Sequence, residues 1–169
     1  MMKRGHALLI HRFPSAPPKS RMHGNPEVMT FEDLPENWAE QPLRNEELAA
    51  DVLDLFVGLQ ARLDGALMVL LCDEQYRLLQ PIQIDGIELY PPADTPQMLD
   101  NLVTALADAY PGASALMAVA RPGALRIRTG DEQWAQQLTR ACQDRVRLLG
   151  IHVVTPDGSR EIPPASMVA

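Results

Sequence analysis

Three arginines, a threonine and two carboxylates crowd one short stretch of this 169-residue chain, AVARPGALRIRTGDEQW over residues 118–134. They are Arg121, Arg126, Arg128, Thr129, Asp131 and Glu132. Guanidinium forks match the planar oxygens of carboxylate and phosphate, and the free N–H groups of a helix's first turn attract the same anions. Arg121, Arg126, Arg128, Thr129 and Asp131 are therefore the candidate ligand-binding residues, and the ligand would be a small anion. A plainer reading accounts for the same residues. The arginines would pair with nearby acids on a solvated loop, and Asp131 and Glu132 would complement the positive end of a helix.

Catalytic chemistry has less to work with. The chain has no GxxxxGK[ST] phosphate loop, no GxGxxG, HExxH or GxSxG motif and no calcium-binding loop. Cys72 and Cys142 are not a CxxC pair; they read as two buried free thiols, one in an apolar strand and one on an amphipathic helix. Of the four histidines, His6, His11 and His23 precede the first acidic residue, and His152 alternates with apolar neighbours as a core or edge histidine does. No Ser–His–acid or Cys–His set assembles. No residue is assigned as catalytic, no metal ligand is identified, and no cofactor is expected.

Those residues need a scaffold, and composition bounds it. The chain is 46% hydrophobic and 22% charged, ordinary for one globular domain. Its longest apolar run, Ala66 to Cys72, is far too short to span a bilayer, so a cytoplasmic protein without membrane contact is expected. Net charge is −7 but uneven: Lys3, Arg4, Arg12, Lys19 and Arg21 all precede Glu27. Residues 27–169 then hold ten basic against twenty-two acidic residues, a net −12. A body that acidic disfavours nucleic acid as a partner.

Along the chain, residues 1–28 carry four prolines and no sustained period, and read as a disordered or extended basic leader. Met22 and Met29 are alternative starts. Residues 29–44 read as an extended strap, with Trp38 packing on the body. A single α/β domain follows over 45–162, and 163–169 form a loose tail. Asn45 caps a helix whose apolar stripe is Leu48, Val52, Leu55, Phe56, Leu59 and Leu63, ended by Gly65. Ala66–Cys72 reads as a central strand covered on both faces. Arg77–Ile84 reads as its antiparallel partner, at an edge because Pro81 has no amide donor. Asp94-Thr95-Pro96 opens a second helix with Leu99, Leu102, Val103, Leu106 and Tyr110 facing inward. Ser114–Ala120 forms the next strand. Thr129 caps a third helix with Glu132 in the capping-box position, and Trp134, Leu138, Ala141, Cys142 and Arg145 follow at helical spacing. Gly150 ends it; Ile151–Val154 forms a strand, and Arg160–Ile162 pairs briefly back across the Pro156-Asp157-Gly158 turn. The order is α-β-β-α-β-α-β, a mixed sheet between helical layers.

That order over residues 66–158, with a proline-containing loop, a capped helix and a strand opening LLGI, resembles the RadC/JAB (JAMM, MPN-like) family. The Arg121-Pro122-Gly123, Asp131 and Trp134 segment is also similar to that of uncharacterised actinobacterial proteins. In active members of the family the loop after the strand carries HxHPSG, followed by Ser and Asp, with a catalytic Glu upstream. Aligning on Pro122 places Val119 and Arg121 where the histidine ligands belong, Thr129 at the serine and Glu132 at the aspartate. Valine has no ligating atom and a protonated guanidinium has no lone pair to donate. The resemblance thus implies a non-catalytic JAB-like domain that serves as a protein-interaction or regulatory module, acting on a protein partner or as a homodimer. The alternative is an anion- or small-ligand-binding domain that uses the Arg121/Arg126/Arg128 loop.

Overall fold

In the computed structural model the described residues are 36–164; the basic leader, Leu34-Pro35 and the end of the tail lie outside them. Two helices, α1 (Glu46–Phe56) and α2 (Leu59–Asp64), lead into strand β1 (Ala66–Cys72), which hairpins into β2 (Leu78–Asp85). Helix α3 (Thr95–Ala109), β3 (Ser114–Ala120), α4 (Thr129–Cys142), β4 (Arg147–Thr155) and β5 (Gly158–Glu161) complete the chain. The sheet order is β2-β1-β3-β4-β5. Only β3 and β4 run parallel, and α4 supplies the crossover that a parallel pair requires. The result is the expected mixed α/β domain.

Strand alternation explains the two cores. Leu67, Val69 and Leu71 point to one side with Ala115, Met117 and Val119, where α3 and α4 cover them. Met68, Leu70 and Cys72 point to the other with Leu116, Ala118 and Ala120, where α1 covers them. A strand covered on both faces has no polar side to show, which is why β1 and β3 read as unbroken apolar runs. Cys72 and Cys142 are both buried and free, in opposite cores. Burial pushes their thiols up, to about 12 and about 11 respectively. Pro81 lies in edge strand β2, as its missing donor demands. Trp38 packs edge-on against Phe56 at 6.0 Å, which seats this residue on α1.

Three expectations need correction. The helix capped by Asn45 does not run to Gly65: it stops at Phe56, and Gly58 starts the separate α2. The stripe predicts burial for Leu59 and Leu63, but both are exposed. Arg62, not the leucines, ties α2 down. Its guanidinium donates to the Val57 and Thr155 carbonyls, both at 3.0 Å, and pairs with Asp54 at 2.9 Å. Gly150 does not stop a helix; α4 ends at Cys142 and Gly150 lies inside β4, beside a register shift. Arg145 accordingly leaves the stripe, and reaches Asp100 and Thr104 on α3.

His152 is buried in β4, its Nδ1 has no partner, and burial depresses it from 6.5 to about 4. Its register partner Glu161 is raised, by burial first and by Glu46 on α1 second. The unfolded chain therefore binds the His152 proton more readily than the folded one between pH 6.5 and 4. Stability from this group falls as pH falls, by on the order of 3 kcal/mol across that window. Glu161 has the opposite sign and remains in a His152→Leu variant. The stability difference between wild type and His152→Leu, from urea unfolding, should shift against the wild type on acidification. A pH-independent difference would show that His152 is not held neutral by burial.

Candidate functional site

Strand β3 ends at Ala120, and the next residue turns back into the protein. The Arg121 backbone N–H donates to Val154 O at 3.0 Å, which keeps it beside β4. Its side chain is only 3% exposed, and Asp131 only 1%. The two form a fork: Nε donates to Oδ1 at 2.7 Å and Nη2 to Oδ2 at 2.8 Å. The remaining donors take the carbonyls of Pro122, Ala124 and Arg126 at 3.0, 3.1 and 2.7 Å. A guanidinium has five N–H bonds. All five of Arg121 are spent, two on Asp131 and three on its own loop, so it has none left for a ligand.

Asp131 has a second task. Its Oδ2 also accepts from the Arg128 backbone N–H at 2.8 Å, closing the start of α4. The expectation of a Thr129 cap answered by Glu132 is therefore displaced by one residue. Arg128 is the N-cap residue, Asp131 reaches back, and Thr129 is the exposed first residue of the helix. The physical reason is the fork: only with Asp131 in the third helical position can one carboxylate serve both Arg121 and the helix start. Glu132 is exposed, as are Arg126 and Arg128, and the Arg128 guanidinium folds back over Gly123. The structure thus brings Arg121 and Asp131 together and leaves Arg126, Arg128 and Thr129 on the surface.

Beside Arg121 opens a cleft of about 400 Å³. Val119, Ala120, Arg121 and Pro122 form one wall, the end of α2 a second, and Ile87–Tyr90 the third. This third wall is irregular, yet its backbone is held at several points. Gly86 N–H donates to Gly65 O at 2.9 Å, and the buried Trp134 donates from Nε1 to Glu88 O at 2.9 Å. Two glycines let it approach. A Cβ at Gly65, whose φ is +90°, would stand 2.6 Å from Ile87 O, and one at Gly130 would press against Leu89 O.

The large side chains around the cleft are apolar and exposed: Leu63 on α2 at 49%, and Leu89 and Tyr90 on the third wall at 50% and 58%. Leu59 stands one helical turn from Leu63. Asp64 and Glu88 supply the carboxylates of the rim, and the single cation of the lining, Arg121, is neutralised by Asp131. Periodicity hides this surface, because Leu59 and Leu63 fit a helical stripe. The available signal was Leu89-Tyr90, two large apolar residues ahead of Pro91-Pro92, outside any strand or helix.

Among the described residues no three His, Cys, Asp or Glu side chains gather to hold a metal ion, and no helix is long and apolar enough to cross a membrane. Removing one partner of the buried fork strands the other. Arg121→Ala or Asp131→Ala should each cost about 3–5 kcal/mol, read as a lowered denaturant midpoint. The double variant Arg121→Met, Asp131→Leu should recover a large part of that loss. Single variants within about 0.5 kcal/mol of wild type would mean the fork does not hold the loop. Gly130→Ala should cost about 1–3 kcal/mol despite alanine's higher helix propensity, because the new methyl meets the Leu89 carbonyl. Unchanged thermal stability there would contradict the close approach. Comparison of the chain with protein-family models, with curated proteins and with solved structures gave no match.

Proposed function

We propose that this chain is a non-catalytic domain of RadC/JAB-like design that works as a protein-interaction or regulatory module. Its cleft beside β3 takes an apolar side chain from a peptide segment. One observation carries the reading. Of the five exposed large apolar side chains among the described residues, Leu63, Leu89 and Tyr90 line this cleft and Leu59 adjoins it. Only Leu79, on edge strand β2, stands elsewhere. Each such side chain is already about half buried, so covering the remainder contributes on the order of 1 kcal/mol, and the cleft volume falls in the range that holds a large side chain or small ligand.

The JAB-like part of the proposal rests on placement. The positions that the resemblance gives to histidine ligands, Val119 and Arg121, border the cleft, so its site would be an emptied one reused for binding. The anion-binding alternative is left with Arg126, Arg128 and Thr129, since Arg121 is fully engaged.

Amide-shift titrations of the full chain separate these readings. Short peptides bearing one Leu, Phe or Trp anchor should shift Leu63–Gly65, Ile87–Tyr90 and Val119–Arg121 saturably. The exposed substitutions Leu89→Ser and Tyr90→Ser should weaken that binding about tenfold without unfolding the protein. Saturable shifts at Arg126–Thr129 with inorganic phosphate, and none in the cleft with peptides, would overturn the proposal. So would stoichiometric zinc retained at residues 119–132 after reconstitution.

A further inference from the structure

We infer that the partner of the cleft is a basic peptide segment, one whose apolar anchor is flanked by lysine or arginine. The inference rests on the peptide-binding reading of the cleft and adds the charge of its occupant. Three observations carry it, and the first is the rim. Asp64 and Glu88 both line the cleft, and both are exposed. Neither carboxylate pairs with a cation among the described residues; Asp64 accepts from the neutral amide of Gln60. The one cation of the lining, Arg121, is buried and balanced by Asp131. An approaching segment meets two negative charges, without a local counter-charge, beside the leucines.

The second is the Tyr90 ring, 58% exposed and two residues from Glu88 on the same wall. A guanidinium or ammonium within about 6 Å of an aromatic face is attracted to it. Tyr76 already has such partners, Arg44 at 4.9 Å and Arg147 at 5.9 Å from its ring centre. No cation among the described residues lies over Tyr90, so that face is open to a partner's cation. The third is the sign of the whole body. Residues 36–164 hold ten basic and nineteen acidic residues, a field that draws a basic segment and repels an acidic one. The same charges count against a second copy of this chain as the occupant. A two-fold dimer sets one patch against itself, so the Asp64 and Glu88 of both copies would meet across the axis. Lysine and arginine also bring apolar stems that can cover Leu63 and Leu89 while their charged ends reach the rim.

The experiment titrates the full chain with three peptides of equal length, each bearing one phenylalanine flanked on both sides by arginine, serine or glutamate. Amide shifts at Leu63–Gly65, Ile87–Tyr90 and Val119–Arg121 report occupancy of the cleft. At low ionic strength the arginine peptide should bind about tenfold more tightly than the serine peptide, and the glutamate peptide most weakly. That preference should shrink as salt is raised to about 0.5 M, because exposed charges are screened. In the double variant Asp64→Asn, Glu88→Gln the arginine-to-serine ratio should fall to about twofold. Asp108→Asn with Asp144→Asn removes two carboxylates near the starts of β3 and β4, the end of the sheet away from the cleft, and should keep most of the ratio. Equal affinity for the arginine and serine peptides would overturn the inference, as would a preference that survives Asp64→Asn, Glu88→Gln; the cleft reading would stand. Cleft shifts that grow with protein concentration in the absence of peptide would also overturn it, by making a second copy the occupant. If none of the three peptides moves these amides saturably, the cleft reading itself fails and the inference with it.

Discussion

Everything near the cleft depends on one buried ion pair. Arg121 and Asp131 come from the end of β3 and the start of α4, and their pairing ties those two elements together across the loop between them. Taking two charges out of water costs several kcal/mol for each ion, and the attraction between them offsets that only with good geometry and saturated hydrogen bonding. Here the saturation is complete on the arginine side: two bonds go to the carboxylate and three to loop carbonyls. Three loop carbonyls gain donors in return, within a segment that has little regular structure. The same carboxylate begins α4, and α4 carries Trp134 to the Glu88 carbonyl. The third wall of the cleft is therefore positioned through a chain of contacts that starts at the fork.

This arrangement separates the buried charge from the exposed apolar surface. Arg121 lines the cleft, yet its charge is balanced and its donors are used. The exposed surface of the cleft is apolar, on a backbone held by the Trp134 hydrogen bond and by the close approach that Gly65 and Gly130 allow. A backbone already held in place loses little conformational entropy when the side chains it carries are covered, which favours the proposed binding role. Leucine and tyrosine exposed at about half their area are tolerated in a strongly acidic protein, where self-repulsion opposes unselective association.

The fold was largely legible because its signals are local. Unbroken apolar runs named β1 and β3, Pro81 named the edge, and Asn45, whose side chain accepts from the Glu47 and Leu48 amides, named the start of α1. The errors fell where a local pattern had two solutions. Leu55-Phe56 and Leu59-Leu63 continue one helical period, and only the need to turn the chain into β1 breaks it at Gly58. Thr129 with Glu132 and Arg128 with Asp131 are both acceptable helix starts. Choosing between them required knowing that Arg121, ten residues away, needed Asp131.

By itself, the order of residues determined the strands, most of the helical faces, the buried thiols and the lack of a catalytic motif. Each of these follows from spacing or from side-chain chemistry within a few residues. The tertiary structure alone decided that Arg121 is internal while Arg126 and Arg128 face solvent, and that Leu63, Leu89 and Tyr90 meet at one cleft. Those outcomes depend on which distant groups satisfy a buried charge and which surfaces are left over once the sheet is covered. Neither is written in any single window of the chain. A guanidinium near a helix start looks the same in sequence whether it waits for a ligand or has already spent its five donors.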